Sequence, residues 1–594
     1  MTTTTSPDRL AQREQQIQQA EEILASVPQH LGVAKGFFNG EFVADWVFPF
    51  PQLPAVQRSR VDEAVAAVTR FCDGHLDPTR IDREADIPRD VIDGLGGLGV
   101  LGMTAPVEVG GQGFSQMGYG KILEVIGGRC SSTAIFVNAH HSIGMRGLLL
   151  FGTADQKRMW LPDLVSGRKM AAFALTEPEA GSDAANVQTT ATLTEDGEHY
   201  ILNGQKRYIT NGAIADVLTV MARTPVPGQD KGKTALTAFL VTPDMPGFRV
   251  VEGRMEKLGI RGTATARLAF ENMRVPKANI LGPFGKGLKV ALTVLDFGRT
   301  TFGACCTGAA RSALNLAAEH ARMRRQFQRS LSEFELIQQK LARMAAWTWG
   351  METMTTVTAS LIDRGLEDYM LETAMLKVWS TERLWTIVNE SFQIHGGAAY
   401  FTDRPLERML RDARINQIGE GANEVLLSFV ALTGMRGPGL HLKEVYDSLK
   451  SPLSGIGKAF RFAGEWVSMR FRTPNVPVRS SELSALAGRT GRLIRRFACA
   501  VQSSLIRHRE EILERQLLQA RISWAAMNLY AAACGLSRWD ADLVAGTRTN
   551  DAVARLFVVD ALNEVDRSLD ELSQNSDSET LAAARGFVAS GSRS

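Results

Sequence analysis

The sequence predicts a mostly helical α+β protein, with a helical domain, a middle antiparallel β domain and a C-terminal helical bundle, followed by an extra helical domain. Three observations carry this prediction. Apolar residues recur at helical spacing up to about residue 169 and again from about 286. Between those limits HYILNGQKRYITNG, ADVLTVMART, TALTAFLVT and TARLAFENMRV are short, alternating, β-branched runs broken by Gly, Pro, Asn and Asp, as antiparallel strands are. A chain of 594 residues also exceeds what one hydrophobic core serves, so several domains are expected. The boundaries read as an N-terminal extension over 1–52, a helical domain over 53–169, the β domain over 170–285, a second helical domain over 286–438 and the additional helical domain over 439–594.

Taken in order, residues 8–30 read as a polar, Gln-rich helix, and VAKGFFNGEFVADWVFPFPQ (33–52) as an irregular apolar connector ending in a Pro-rich turn. Val61, Ala64, Val65, Val68 and Phe71 then share one helix face. Gly97, Gly99 and Gly102 match G-x-G-x-x-G, but a helical pattern precedes them and no βαβ unit with a ribose-binding acid follows, so no dinucleotide site is expected there. PVEVGGQG (106–113) is a glycine turn, and 116–166 is helical again. After the β section, Leu336, Ile337, Lys340, Leu341 and Met344 share a face, and LETAMLKVWSTERLWTIVNESF reads as one long helix. The tail is helical and opens on a mixture of Phe460, Phe462, Trp466 and Phe471 with Lys458, Arg461, Arg470 and Arg472.

Composition narrows the function classes. With 44% hydrophobic and 22% charged residues the chain has ordinary globular proportions, and a net charge of +3 is too small and too evenly spread to point to nucleic acid. Six cysteines without C-x-x-C or zinc spacing fit reduced thiols and argue against a metal site. The start, MTTTTSPDRLAQREQQIQQAEE, has neither an apolar signal core nor the acid-poor, Arg-rich face of a transit peptide, so a cytoplasmic, bacterial-type chain is expected. No run of about 18 apolar residues suggests a membrane span.

The stretch that points to chemistry is RDARINQIGEGANEVLL (411–427), where Glu420 stands between Gly419 and Gly421 just before a helical pattern. The two glycines clear the approach, so backbone N–H groups could meet a ligand while the carboxylate faces a reacting carbon. Alone, the stretch reads better as an acid at a helix start.

Other motifs stand with it: FALTEPEAGSD (173–183), LNGQKRYITNG (202–212), RRQF (324–327) and QIHGG (393–397). In this order and spacing, over nearly the whole chain, they resemble the acyl-CoA dehydrogenase family, and VFPFP with the long tail is similar to its very-long-chain branch and to a relative linked to respiratory complex I assembly. The resemblance implies FAD-dependent α,β-dehydrogenation of fatty acyl-CoA thioesters to trans-2-enoyl-CoA, the first step of β-oxidation, with electrons passed to an electron-transfer flavoprotein. It implies Glu420 as the catalytic base. Some relatives carry the base just before an arginine on a helix, but that position here is Gly298, before Arg299.

For the cofactor, the resemblance implies contacts from Phe173, Thr176 and Ser182 at the head of the β domain and from Tyr208 and Thr210 beside the flavin ring. Ala422 and Glu424, just after the catalytic loop, are implied cofactor contacts as well. Arg324 and Phe327, read as i and i+3 on a helix, would reach the FAD of a neighbouring subunit together with Gln393 and Gly397, so a homodimer is implied. Substrate contacts are implied for Ser182, Arg299, Gly419 and Gly421. The chain departs from the family at Tyr208 (usually Trp), Gln328 (usually Gly), Ala422 (usually Thr) and in GGAAY, which lacks the later glycine of GGxG. Two other readings of the fold remain open, an acyl-CoA oxidase that uses oxygen and a flavoprotein retained as an assembly factor. For residues 449–472, contact with the inner membrane face and packing against the core or a partner are both compatible with the aromatic-basic mixture. Phe136 and Asn138 could close the acyl pocket or be turned away from it.

Overall fold

The computed structural model describes residues 30–228, 233–449 and 470–591. The expected helix over 8–30 therefore lies outside the described residues except for His30, and the aromatic-basic stretch of 449–472 likewise except for Leu449 and Arg470 to Arg472, where Phe471 is exposed. The first helical domain is built from Ala55–His75, Pro78–Glu84, Arg89–Gly97, Gln116–Arg129, Ser131–Val137, Arg146–Phe151 and Ala154–Val165. Its breaks are local. The Asp77 carboxylate caps one helix by accepting from the N–H groups of Thr79 and Arg80, and Thr153 with Gln156 forms a capping box on another. The glycine run ends the helix Arg89–Gly97 and turns into the single turn Val100–Gly102, so its role is helical packing.

The β domain is one eight-stranded sheet of β1 (Ala171–Ala174), β2 (Thr190–Leu193), β3 (His199–Ile209), β4 (Val217–Pro225), β5 (Thr234–Val241), β6 (Phe248–Glu252), β7 (Ala266–Pro276) and β8 (Ile280–Leu281). The order is β6-β7-β3-β2-β4-β5-β8, with β1 beside β4. The sheet is mixed rather than wholly antiparallel, because β1 pairs with β4 in parallel and β2 touches β4 in parallel at Thr190. The chain enters β1 from a helix rather than from a hairpin, and nothing then forces neighbouring strands to reverse.

The second helical domain turns on Gly287–Met323, whose middle is rich in Gly, Ala, Cys and Thr. Those small residues let backbones meet: a Cβ on Gly308 would stand 2.0 Å from the carbonyl of Glu124 in the neighbouring helix. Glu335–Asp363, Met370–His395, Leu406–Arg414 and Asn423–Leu449 complete the bundle. Asn423–Lys443 alone, among the described residues, is long and apolar enough to cross a membrane by length and composition, but its Leu426, Val430, Ala431 and Met435 are buried in the bundle core.

The tail adds Ser484–His508, Gln516–Val544, Asp551–Asp570 and Asp577–Ala589. Its core is continuous with that of the bundle. Phe557 stands edge-on to Trp349 and Trp379 at 5.5 and 5.7 Å, and the Trp379 indole N–H donates to Asn528 at 3.2 Å. The segment expected as an irregular connector also joins this core. Val33–Phe38 is a short helix with Val33, Ala34, Phe37 and Phe38 fully buried, its Ala34 N–H donating to Glu372 at 2.7 Å and Phe38 packing on Phe497 at 4.9 Å. Six residues are too few to show a helical period, and a helix in which every residue but Lys35 is buried has no polar face to reveal it.

Candidate active site

A cavity of about 2580 Å³ opens where the β domain, the helix Gly287–Met323 and the loop before Asn423 meet. Phe173, Thr176, Ser182, Tyr208 and Thr210 line it from the sheet side, and Arg299, Gly419, Glu420, Gly421 and Ala422 from the helical side. Glu424 sits one turn further on and is exposed.

Glu420 is held in a conformation that side chains rarely adopt. Its φ is +59° and that of Gly421 is +96°, so two successive residues are left-handed; for the non-glycine this costs roughly 1–3 kcal/mol. Two buried cations hold the carbonyls of this turn. Arg299 Nε donates to the Glu420 carbonyl at 3.4 Å, and Lys377 Nζ to the Gly421 carbonyl at 2.7 Å and to Asn423 Oδ1 at 2.8 Å. Arg299 is itself fixed by Asp296 at 3.0 Å, which also accepts from Thr373 at 3.0 Å. The Glu420 side chain is thereby left free to face the cavity: Oε2 is out of solvent and accepts no hydrogen bond. Gly298 supplies the room, since a Cβ there would lie 3.1 Å from Oε2 and 2.7 Å from Ile143 Cγ2.

Burial pushes the Glu420 carboxyl above the usual carboxylate range, and the nearby charges of Arg299 and Lys377 offset this only in part. Burial likewise raises Asp296 to about 6, against the pull of Arg299 and Thr373, and lowers Lys377 to about 8. A carboxylate with an elevated pKa, no hydrogen-bond partner and an open cavity in front of it has the properties of a general base.

Opposite Glu420, the Thr176–Ser182 loop is tied down from below. Lys206, fully buried on β3, donates to Glu177 at 2.6 Å and to the Leu175 carbonyl at 3.0 Å, while Glu177 accepts from the Thr189 hydroxyl at 2.5 Å. The Arg207 N–H reaches the Thr176 carbonyl at 2.9 Å. Immediately after, a bulge in β3 gives Tyr208 a φ of +61° and leaves the residue 58% exposed at the cavity wall, with the Arg207 guanidinium over its ring.

Four separate family models match the chain in order. They are the acyl-CoA dehydrogenase N-terminal domain over 60–168, middle domain over 172–273 and C-terminal domain over 285–434, and the ACAD9/ACADV C-terminal domain over 481–589. The human very long-chain specific acyl-CoA dehydrogenase is 37% identical over 524 residues, covering 87% of this chain and 80% of that protein. The chain belongs to the acyl-CoA dehydrogenase family. A probable acyl-CoA dehydrogenase of Mycobacterium tuberculosis, FadE10, is 33% identical over 92% of this chain and 86% of its own length. Among solved structures, an acyl-CoA dehydrogenase from Bacillus anthracis complexed with FAD is 29% identical with a TM-score of 0.77, covering 92% of this chain and 94% of that one.

The members of this family are FAD-dependent oxidoreductases, and the site fits that group. Gly181 stands in open space at the cavity wall, and a Cβ on Gly419 would meet only the Ile415 carbonyl, at 3.6 Å, so a planar ring or a phosphate meets no side chain there. Arg324, Phe327, Gln393 and Gly397 are not in the cavity; all four are exposed on another face of the subunit. The expectation that Arg324 and Phe327 sit on one helix is corrected. The long helix ends at Met323, and Phe327 and Gln328, with φ of +48° and +66°, form the tip of a hairpin between Arg325–Gln326 and Arg329–Ser330. A left-handed φ at Gln328 is a conformation that favours glycine, the residue the family resemblance implies at this position. Phe136 is turned into the N-terminal core, and Asn138 is held by the Thr301 hydroxyl, so Ile135 and Ile143 of that segment line the cavity instead. Sequence reasoning missed Lys377, Asp296 and the Lys206–Glu177 pair. The available signal was a lone charge inside an otherwise apolar stretch, as in AMLKVW.

Proposed function

We propose that the chain catalyses the FAD-dependent α,β-dehydrogenation of fatty acyl-CoA thioesters, with Glu420 as the base that removes the α-proton and an electron-transfer flavoprotein as the electron acceptor. The observation that carries this reading is Glu420 at the cavity wall, its Oε2 out of solvent beside Gly298 and without a hydrogen-bond partner. An acyl thioester is a weak carbon acid, so the site must accept a proton and stabilise negative charge on the thioester oxygen. The raised pKa of Glu420 matches it to the first task, and the backbone N–H of Glu420 in its clamped turn suits it to the second. FAD, when bound, supplies the acceptor for the β-hydride. Thr176, Ser182, Tyr208 and Thr210 would hold the flavin portion, and Arg299 keeps the loop facing the thioester. The test is anaerobic titration of the holoprotein with saturated acyl-CoAs of increasing length. Bleaching of the flavin is expected for at least one length, and none at any length overturns the reading. Reoxidation that is fast only with electron-transfer flavoprotein supports the dehydrogenase, whereas fast recovery in air identifies an oxidase.

Gly298→Ala tests the space behind the base. A methyl group 3.1 Å from Oε2 displaces the carboxylate, and a displacement of this kind costs about 10–100-fold in the limiting rate of flavin reduction, although alanine is the better helix former. A rate within two-fold of wild type would show that the carboxylate does not use that space.

The cofactor site is completed by a second copy of the chain. Met323, Phe327, Tyr400 and Phe401 are all more than 60% exposed around Arg324 and the Gln393–Gly397 turn, a surface that covering by a partner would bury. Arg324→Ala is expected to lower FAD retention several-fold and to leave the melting temperature nearly unchanged, since an exposed arginine contributes little to stability. Sedimentation checks the premise, and a holoprotein that stays monomeric at micromolar concentration sinks it.

A further inference from the structure

The geometry points to Lys377 as the residue that positions the catalytic loop: its buried ammonium fixes the Gly421 carbonyl and Asn423, and so aims the Glu420 carboxylate and N–H. This inference rests on the reading of Glu420 as the base.

Lys377 lies inside the helix Met370–His395 and has no exposed surface. A buried lysine with no carboxylate in hydrogen-bond contact is costly unless its donors are used, and both acceptors it finds belong to the catalytic turn: Gly421, one residue after the base, and Asn423, the first residue of the following helix. Asn423 is in turn locked, its amide donating to the Thr381 hydroxyl at 3.0 Å and to Glu382 Oε1 at 2.6 Å. The left-handed pair Glu420–Gly421 is thus anchored on its far side to the helix Met370–His395 through Lys377, and on its near side to the helix Gly287–Met323 through Arg299. Fixing both carbonyls sets the two peptide planes that follow Glu420, and with them where the turn holds the Glu420 side chain and N–H.

Lys377 also acts by charge. The charged and titratable groups around it are Glu420 on the loop, Arg299 and Cys306 on one neighbouring helix, and Glu382 on its own, with Asp296 behind Arg299. The ammonium and Arg299 both favour ionised Glu420, against burial. Asp296 is hydrogen-bonded to Arg299, which leaves Lys377 as the cation near Glu420 without a carboxylate in hydrogen-bond contact.

The experiment measures flavin reduction by acyl-CoA in stopped flow across pH for the wild-type holoenzyme, Lys377→Met and Asn423→Ala. Lys377→Met is expected to lower the limiting rate at saturating substrate at least ten-fold, with substrate affinity and FAD content little changed. It should also move the ascending limb of the pH profile to higher pH by roughly one unit, because a lost cation raises the pKa of the base. Asn423→Ala keeps the ammonium and removes one anchor, so it should lower the limiting rate with the limb unmoved. A merely structural role would reduce thermal stability and FAD content together and leave the limb where it is. A Lys377→Met holoenzyme with wild-type limb and rate overturns the proposal, and if that variant does not fold, a wild-type limiting rate in Asn423→Ala overturns it. A wild type that no acyl-CoA bleaches overturns the reading of Glu420 itself, an outcome separable from the others.

Discussion

Glu420→Gln is expected to leave the fold, FAD content and acyl-CoA affinity near wild type while lowering the rate of flavin reduction by about 10²–10⁴-fold, the range a general base supplies. The loop does not depend on the carboxylate for its shape. It is held through main-chain carbonyls by Arg299 and Lys377, and Oε2 makes no hydrogen bond that the amide would lose. Removing a buried acid with a raised pKa also relieves a desolvation penalty, so stability should hold or rise. The pH profile gives an independent readout. The base must be ionised to act, and because its pKa lies above the ordinary carboxylate value, the wild-type rate should climb as pH passes through that elevated value. The variant should lack this limb. Single-turnover reduction of Glu420→Gln at near-normal rate would remove Glu420 from its role.

How much of this was legible in the sequence depended on how local each signal is. The strands announced themselves because alternation is written into consecutive residues, and Glu420 stood out because two glycines flank it. The parallel pairing of β1 was not readable, since AAFA is four residues long and its partner Val217–Val220 lies far along the chain. The hairpin at Phe327 was hidden for the opposite reason: its tip has positive φ at two residues, Phe327 and Gln328, neither of which is a turn-former, so RRQF read as the end of a helix. Val33–Phe38 lacked a period because it is six residues long and all of them but Lys35 are buried. Lys377 and Lys206 drew no reading from the sequence, and only the fold shows that each is buried with its donors aimed at a functional loop. Charges of that kind are specified by tertiary contacts, about which local spacing is silent.

The second large effect is expected at one of these charges. Lys206→Met should destabilise the protein by about 3–5 kcal/mol and release FAD, because it strands one partner of a buried ion pair. Both members are inside: Lys206 has no exposed surface and Glu177 is 4% exposed. Burial alone would push the Glu177 carboxyl up. Lys206, with hydrogen bonds from Thr189 and Gln188, more than offsets this and holds it below the usual range. A carboxylate depressed in this way contributes stability that is present above its unfolded pKa and is lost as pH falls through the folded one. Without Lys206 the contribution disappears at neutral pH, so the variant should be far less stable than wild type at pH 7, and the gap should narrow in acid. The loop that Glu177 anchors runs on through Pro178 to Ser182 at the cavity wall, which is why cofactor retention should fall with stability. Lys206→Met combined with Glu177→Gln separates charge from packing. Neutralising the stranded carboxylate should recover much of the loss, since removing a buried pair whole costs less than breaking it. Denaturant unfolding and FAD release measured on wild type and the two variants decide the matter: a Lys206→Met protein as stable as wild type would mean that the loop is held by its backbone contacts alone, chiefly the Arg207 N–H on the Thr176 carbonyl, and a double variant no better than the single would mean that the stranded carboxylate is not the source of the loss.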